Sequence, residues 1–225
     1  VTGTSNVAGV VGDLTAGQII NCGNEATVSG DSNVGGVVGV VNGASTVSGC
    51  YNKGDITAKT GYIGGVTGQH WRAGTVQNCY NVGTVKGPAT VGGVVGGHKA
   101  ASPVVENCFN AGSVVDSTGN ANNIGAVVGA TRGTQTNCFY LTGCGTSIKA
   151  GVTEVSAISA EQLGDAFVAS EQSASLKWEA SVSDEAPVRP AFVEKTERSA
   201  QLAGYIKDAI KSTKTNGSIS GTLLG

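Results

Sequence analysis

Along the first two thirds of the chain, apolar residues come in short runs of Val or Ile cut by glycine and separated by Thr, Ser and Asn, as in Val34-Gly-Gly-Val-Val-Gly39. No apolar stripe of helical period is sustained there, and the glycine content of each unit is too high for a helical repeat. The pattern predicts short strands joined by tight turns. Compared with itself, the sequence resolves into five copies of one phrase, beginning at Val7, Val34, Ile63, Val91 and Ile124. A second phrase follows each copy: Asn21-Cys22-Gly23-Asn24, Gly49-Cys50-Tyr51-Asn52, Asn78-Cys79-Tyr80-Asn81, Asn107-Cys108-Phe109-Asn110 and Asn137-Cys138-Phe139-Tyr140. Successive cysteines of this phrase lie 28, 29, 29 and 30 residues apart.

That regularity predicts an all-β solenoid (β-helix) of about five coils of 28–30 residues, each repeat forming one coil and each repeat position one column. With neighbouring coils paired at about 4.8 Å, the five make a prism roughly 24 Å long. Val and Ile then fill inward columns, and glycine sits where the chain turns sharply or where no side chain fits. Two asparagine columns, Asn21/Asn78/Asn107/Asn137 and Asn24/Asn52/Asn81/Asn110, are expected as amide ladders at corners. Tyr51, Tyr80, Phe109 and Phe139 should stack beside the second.

The phrase GG-V-V-G followed 10 to 13 residues later by N-C-[YF]-N-x-G-x-V resembles the GLUG repeat motif over about residues 5–145. The resemblance implies the kind of array carried by bacterial cell-surface proteins, including adhesin-like and immunoglobulin A peptidase-type proteins. It supplies no catalytic residue. Copies one and five depart from the motif, with Gly23 in place of the aromatic and Tyr140-Leu-Thr in place of N-x-G. Terminal repeats face a cap and are expected to differ.

The composition changes near residue 150. Only 6 of the 36 glycines lie beyond it, but 17 of the 30 charged residues do. The reading is a solenoid array over 1–150, a capping segment over 151–180, and a linker, amphipathic helix and flexible tail over 181–225. Ser159 with Gln162 forms a capping box that opens a short helix through Leu163, Phe167 and Val168. Leu176-Lys177-Trp178 resembles the segment that closes such arrays in the family. Pro187 and Pro190 punctuate the linker. A second helix from about 196 to 211 places Leu202, Ile206 and Ile210 on one face, and with Leu223 and Leu224 these form a candidate assembly segment.

Cys22, Cys50, Cys79, Cys108 and Cys138 occupy one column, where parallel side chains are poorly placed for a disulfide, so they are read as buried thiols acting as small hydrophobes. Cys138 with Cys144 is the one bridge considered. Zinc would need paired C-x-x-C or nearby His ligands, and neither metal nor cofactor is expected.

The chain of 225 residues has a formal net charge of -2 and only 13% charged residues, which argues against a nucleic-acid or polybasic membrane surface. No apolar run is long enough to insert as a transmembrane helix. The absence of Met and the start at Val1 suggest a processed chain or a fragment, and the first coil is expected to carry an uncovered edge. The array holds 13 of the charges at differing offsets, too scattered for the groove of a polysaccharide-acting enzyme. Asp55, for example, has Thr27, Thr84 and Ser113 at its equivalent positions. No calcium, P-loop, H-E-x-x-H or G-x-S-x-G signature occurs, and the threonine columns are too irregular to match an ice lattice. His70 and His98 fall at equivalent places and should lie side by side, with Trp71, Arg72 and Lys99 adjacent. This is a candidate patch for a host or cell-surface glycan or an acidic partner, read against solvated loop histidines.

From sequence, then, the expectation is a non-enzymatic extracellular bacterial surface protein, an adhesin stalk or binding module. Its partners would be flanking domains of a longer surface protein or copies of itself. The alternative is a subunit of an extracellular filament assembled head to tail, and a polysaccharide-acting enzyme is third.

Overall fold

A computed structural model describes residues 1–99, 103–119, 123–130, 133–136, 138–141, 143–145, 152–155, 178–179 and 189–190. The chain winds as a parallel β-solenoid in which strands of successive repeats stack into five faces. Face one holds Ser5–Ala8, Ser32–Gly35, Tyr62–Gly64, Thr90–Gly92 and Ile124–Gly125. Face two holds Val11–Leu14, Val38–Val41, Thr67–His70, Val95–His98 and Val128–Ala130. Face three holds Gln18–Ile20, Thr46–Ser48, Thr75–Gln77, Val104–Glu106 and Thr134–Thr136. Face four holds Gly23–Asn24, Tyr51–Asn52, Tyr80–Asn81, Phe109–Asn110, Cys138–Leu141 and Val152–Val155. Face five holds Val28–Gly30, Ile56–Ala58, Val85–Gly87 and Val114–Asp116.

Register follows the repeat. Val7, Val34, Ile63, Val91 and Ile124 pair in sequence, one coil to the next, so one repeat is one coil. The last of these steps spans 33 residues, and the extra length falls between Asp116 and Ile124, off the paired strands. The strand Val152–Val155 adds a further rung to face four, so the solenoid's pairing continues past residue 150. Trp178–Glu179 pairs antiparallel with Arg189–Pro190, which places Pro190 in a short ladder. The two expected helices and the segment Leu202, Ile206, Ile210, Leu223 and Leu224 lie outside the described residues.

Among the described residues the interior divides into two apolar clusters. One gathers Val37, Val38, Val41, Val47, Cys50 and their equivalents in later coils. The other gathers Val7, Val28, Val34, Ile56, Ile63, Val85, Val91, Val114 and Ile124. Each coil therefore passes from one cluster to the other at its second phrase glycine and again after its second asparagine. β-Branched side chains suit both, because each stacks on its copy above and below.

Candidate functional site

The seam between the clusters is built from the two sequence phrases together. Asn24, Asn52, Asn81 and Asn110 are buried, and the Nδ2 of each of the first three donates to the Oδ1 of the next coil's asparagine, at 2.7, 2.7 and 2.8 Å. In those three the same Nδ2 donates its other hydrogen to the carbonyl two residues on, those of Ala26, Gly54 and Gly83, and Asn110 makes the equivalent bond to Gly112. Both N–H bonds are thus satisfied away from water, which is the condition for burying an amide. The ladder ends at Tyr140, which pairs with Asn110. Gly54, Gly83 and Gly112 are required beside it, since a Cβ there would stand 2.0 to 2.1 Å from the preceding coil's carbonyl oxygen.

The other asparagine column owes its residue type first to the backbone. Asn21, Asn78 and Asn107 have φ of 52 to 55°, and Gly49 takes the same place at 64°. Left-handed backbone is tolerated by Gly and Asn and costly for other residues. The amide ladder expected there forms in part: Gly49 stands between Asn21 and Asn78, and Asn107 Nδ2 donates to Asn78 Oδ1 at 3.3 Å. Asn137 lies outside the described residues. A further left-handed pair, Asn6 and Asn33, makes the same kind of step at 3.0 Å. Its signal was the Asn one residue before Val7 and Val34.

The aromatic column forms as expected. Tyr51 and Tyr80 stack with centroids 5.5 Å apart, and Phe109 and Phe139 continue it in register. Gly23 is explained by this stack: a Cβ there would strike the Tyr51 ring, which leans over the first coil. Tyr51 donates to Glu25, which also pairs with Lys53 at 2.6 Å. Asp55 accepts from the backbone N–H of Thr84 in the next coil. All six cysteines are free thiols. The bridge considered between Cys138 and Cys144 is not made, because Cys138 sits on face four while Cys144 lies under Val114 on face five, its thiol donating to the Ala111 carbonyl at 3.0 Å.

The patch around His70 divides in two. His70 and His98 pair in register on face two and stack at 5.2 Å between centroids. They are buried strand residues in the column of Leu14 and Val41, which corrects the reading of both as surface groups, solvated or ligand-facing. All four ring nitrogens lack a hydrogen-bond partner. Burial, and for His70 also the neighbouring His98, lowers their pKa to about 3 for His70 and about 4 for His98, so both are neutral at ordinary pH. The outward half consists of Trp71, 41% exposed, with Arg72 and Lys99 also exposed. Lys99 Nζ stands 3.8 Å from the Trp71 ring centroid, a cation–π contact. Among the described residues no three His, Cys, Asp or Glu come together as metal ligands. No helix among them is long and apolar enough to cross a membrane.

No known protein family matches the sequence, and no curated protein matches it. Among solved structures, the chain is similar to a "putative immunoglobulin A1 protease" from Bacteroides ovatus, with a TM-score of 0.64 and 23% identity. The match covers 79% of this chain and 62% of that one, so this chain spans less than two thirds of its neighbour's length. At that identity the likeness is one of fold.

Proposed function

We propose that this chain is a non-enzymatic extracellular module of a bacterial surface protein, a solenoid stalk that presents a glycan-binding patch at Trp71, Arg72 and Lys99. The repeat phrases resemble those of GLUG arrays, and the fold is shared with a Bacteroides ovatus protein whose name refers to immunoglobulin A1. One observation carries the reading. The recurring asparagines are absorbed in ladders, whereas Trp71, Arg72 and Lys99 do not recur and are exposed, with Lys99 against the Trp71 ring and Arg72 next to Trp71 in the chain. An exposed indole flanked by two cations suits a sugar face bearing carboxylate or sulfate.

The test is binding of purified chain to immobilised uronic-acid and sulfated glycans. Trp71→Ala and the pair Arg72→Ala with Lys99→Ala should each reduce binding at least tenfold without altering the melting temperature. Binding equal to the parent in both variants, or none by the parent, would reject the patch.

The filament reading has its own support. Val10 is 43% exposed, although Val37, Val66, Val94 and Val127 in the same column are fully buried. Among the described residues no strand pairs on the outer side of the first coil. A neighbouring copy laid on that end would bury Val10 and satisfy its open backbone edge. Long fibres in electron micrographs, abolished by Val10→Lys, would favour this reading over the stalk.

A further inference from the structure

One interior column is neither apolar nor amide. Cys22, Cys50, Cys79, Cys108 and Cys138 each precede a residue paired in register on face four, so the five thiols stack in line. Their orientation repeats as well. Cys50, Cys79, Cys108 and Cys138 each donate to the carbonyl two residues earlier, at 3.1 to 3.4 Å. Each also lies 3.6 to 3.7 Å from a carbonyl of the coil before, those of Ile19, Val47, Val76 and Val105. Four are fully buried, and Cys22, at the open first coil, is partly exposed.

Spacing decides what such a column can hold. Metal–thiolate bonds near ~2.3 Å put two sulfurs on opposite sides of one ion about 4.6 Å apart, while tetrahedral angles would bring them to roughly 3.8 Å. The rise between coils is about 4.8 Å. The column therefore fits an ion that accepts two ligands in line and misfits zinc, which needs four. Soft thiolates select soft ions, Cu(I) among them.

We propose that the cysteine column binds soft monovalent d10 cations, Cu(I) or Ag(I), in two-coordinate sites that each bridge cysteines of successive coils. At each site two thiols lose their protons, two metal–sulfur bonds form, two protons leave to solvent and no electron is transferred. The product carries one negative charge. A sulfur shared by two ions holds them at a bent angle, which a straight column does not allow, so each sulfur serves one ion. Five thiols then make two sites, Cys22 with Cys50 and Cys79 with Cys108, and leave Cys138 as a thiol. Solvent at Cys22 helps carry the charge of the first site. At the second, the backbone N–H of Cys50 points at Cys79 Sγ from 3.4 Å. Because two protons leave for each ion bound, uptake competes with protons and weakens as pH falls.

The experiment is titration of the reduced full chain with Ag(I) at neutral pH. Native mass spectrometry counts ions, circular dichroism follows the fold, and X-ray absorption reads the coordination. The expected result is two ions per chain, each with two sulfurs in line, with the β spectrum unchanged and the first ion entering faster than the second. Counting by pairs makes a sharper demand on variants. Cys50→Val and Cys108→Val should each bind one ion, because each leaves one run of three cysteines, which fills a single site, and one isolated cysteine. Cys79→Val should still bind two, through Cys22 with Cys50 and Cys108 with Cys138, and Cys144→Val should match the parent. Absence of uptake, three or more sulfurs per ion, loss of β structure on binding, or the parent's stoichiometry in Cys50→Val would each overturn the proposal.

Discussion

Gly65 and Asn81 meet across the interior of one coil: a Cβ on residue 65 would stand 2.3 Å from Asn81 Cγ and 2.2 Å from the Gly93 carbonyl oxygen. The same meeting recurs as Gly9 with Asn24, Gly36 with Asn52 and Gly93 with Asn110. The second glycine of the first phrase is the space into which the asparagine of the second phrase fits. Gly65→Ala should therefore lower stability by about 3 kcal/mol, the upper range for overpacking. Replacing Asn81 by Gly in the same chain removes one of the two clashes and leaves the Gly93 carbonyl in the way, so the double variant should lose less than the sum of the two single ones. A double-mutant cycle by urea denaturation measures that coupling, and zero coupling would show that the two residues do not compete for the space.

Position within the ladder should grade the cost of breaking it. Asn81→Ala removes one of the two acceptors of Asn52 Nδ2 and one of the two donors to Asn110 Oδ1, which keeps the Gly112 N–H. Asn24→Ala deprives one buried atom, Asn52 Oδ1, since its other bonds go to the backbone of Ala26, which is exposed to water. With each buried orphan costing about 1 to 3 kcal/mol, the interior substitution should be the more damaging by roughly that amount. Equal melting temperatures for the two variants would mean that the ladder acts as isolated amides.

The left-handed column predicts a reciprocal tolerance. Gly49→Asn should leave stability within about 0.5 kcal/mol of the parent, since Asn adopts that backbone in the neighbouring coils, while Gly49→Val should cost at least ~1–2 kcal/mol. Thermal melts of the two variants check the order.

Acid should attack the histidine stack. The folded pKa values lie below the ordinary value near 6.5, so the unfolded chain binds more protons between about pH 6.5 and pH 4, and stability falls as pH drops through that window. The stabilising contribution is fully present above about pH 6.5. Two such groups should cost on the order of 4 kcal/mol between pH 6 and pH 4.5. His70→Val with His98→Val, matching Val41 in the same column, should flatten the dependence relative to the parent. A pH profile of the urea midpoint unchanged by the double substitution would mean that the pair is protonated, or hydrated, in the fold.

Repetition made the architecture legible in the chain itself. A period of 28 to 30 residues, glycine punctuation and Val-rich phrases dictate a coil whose copies pair in parallel, since in-register stacking is the one arrangement that gives every repeat position an identical neighbour. The columns of Val, of Cys and of Asn24, Asn52, Asn81 and Asn110 follow from that alone. What the period does not encode is direction across the coil. His70 and His98 look like loop residues in sequence because they follow the last apolar position of their phrase and precede Trp71 and Lys99. Only the strand register, which places them under Val41 and Leu14, turns their rings inward and leaves Trp71 outside. Likewise the glycine phrase and the asparagine phrase lie about sixteen residues apart in a form that the period alone leaves unconnected. The fold brings them into contact because a closed coil must let its two sides touch, and a side chain as large as Asn81 can reach the middle only where the opposite side has none.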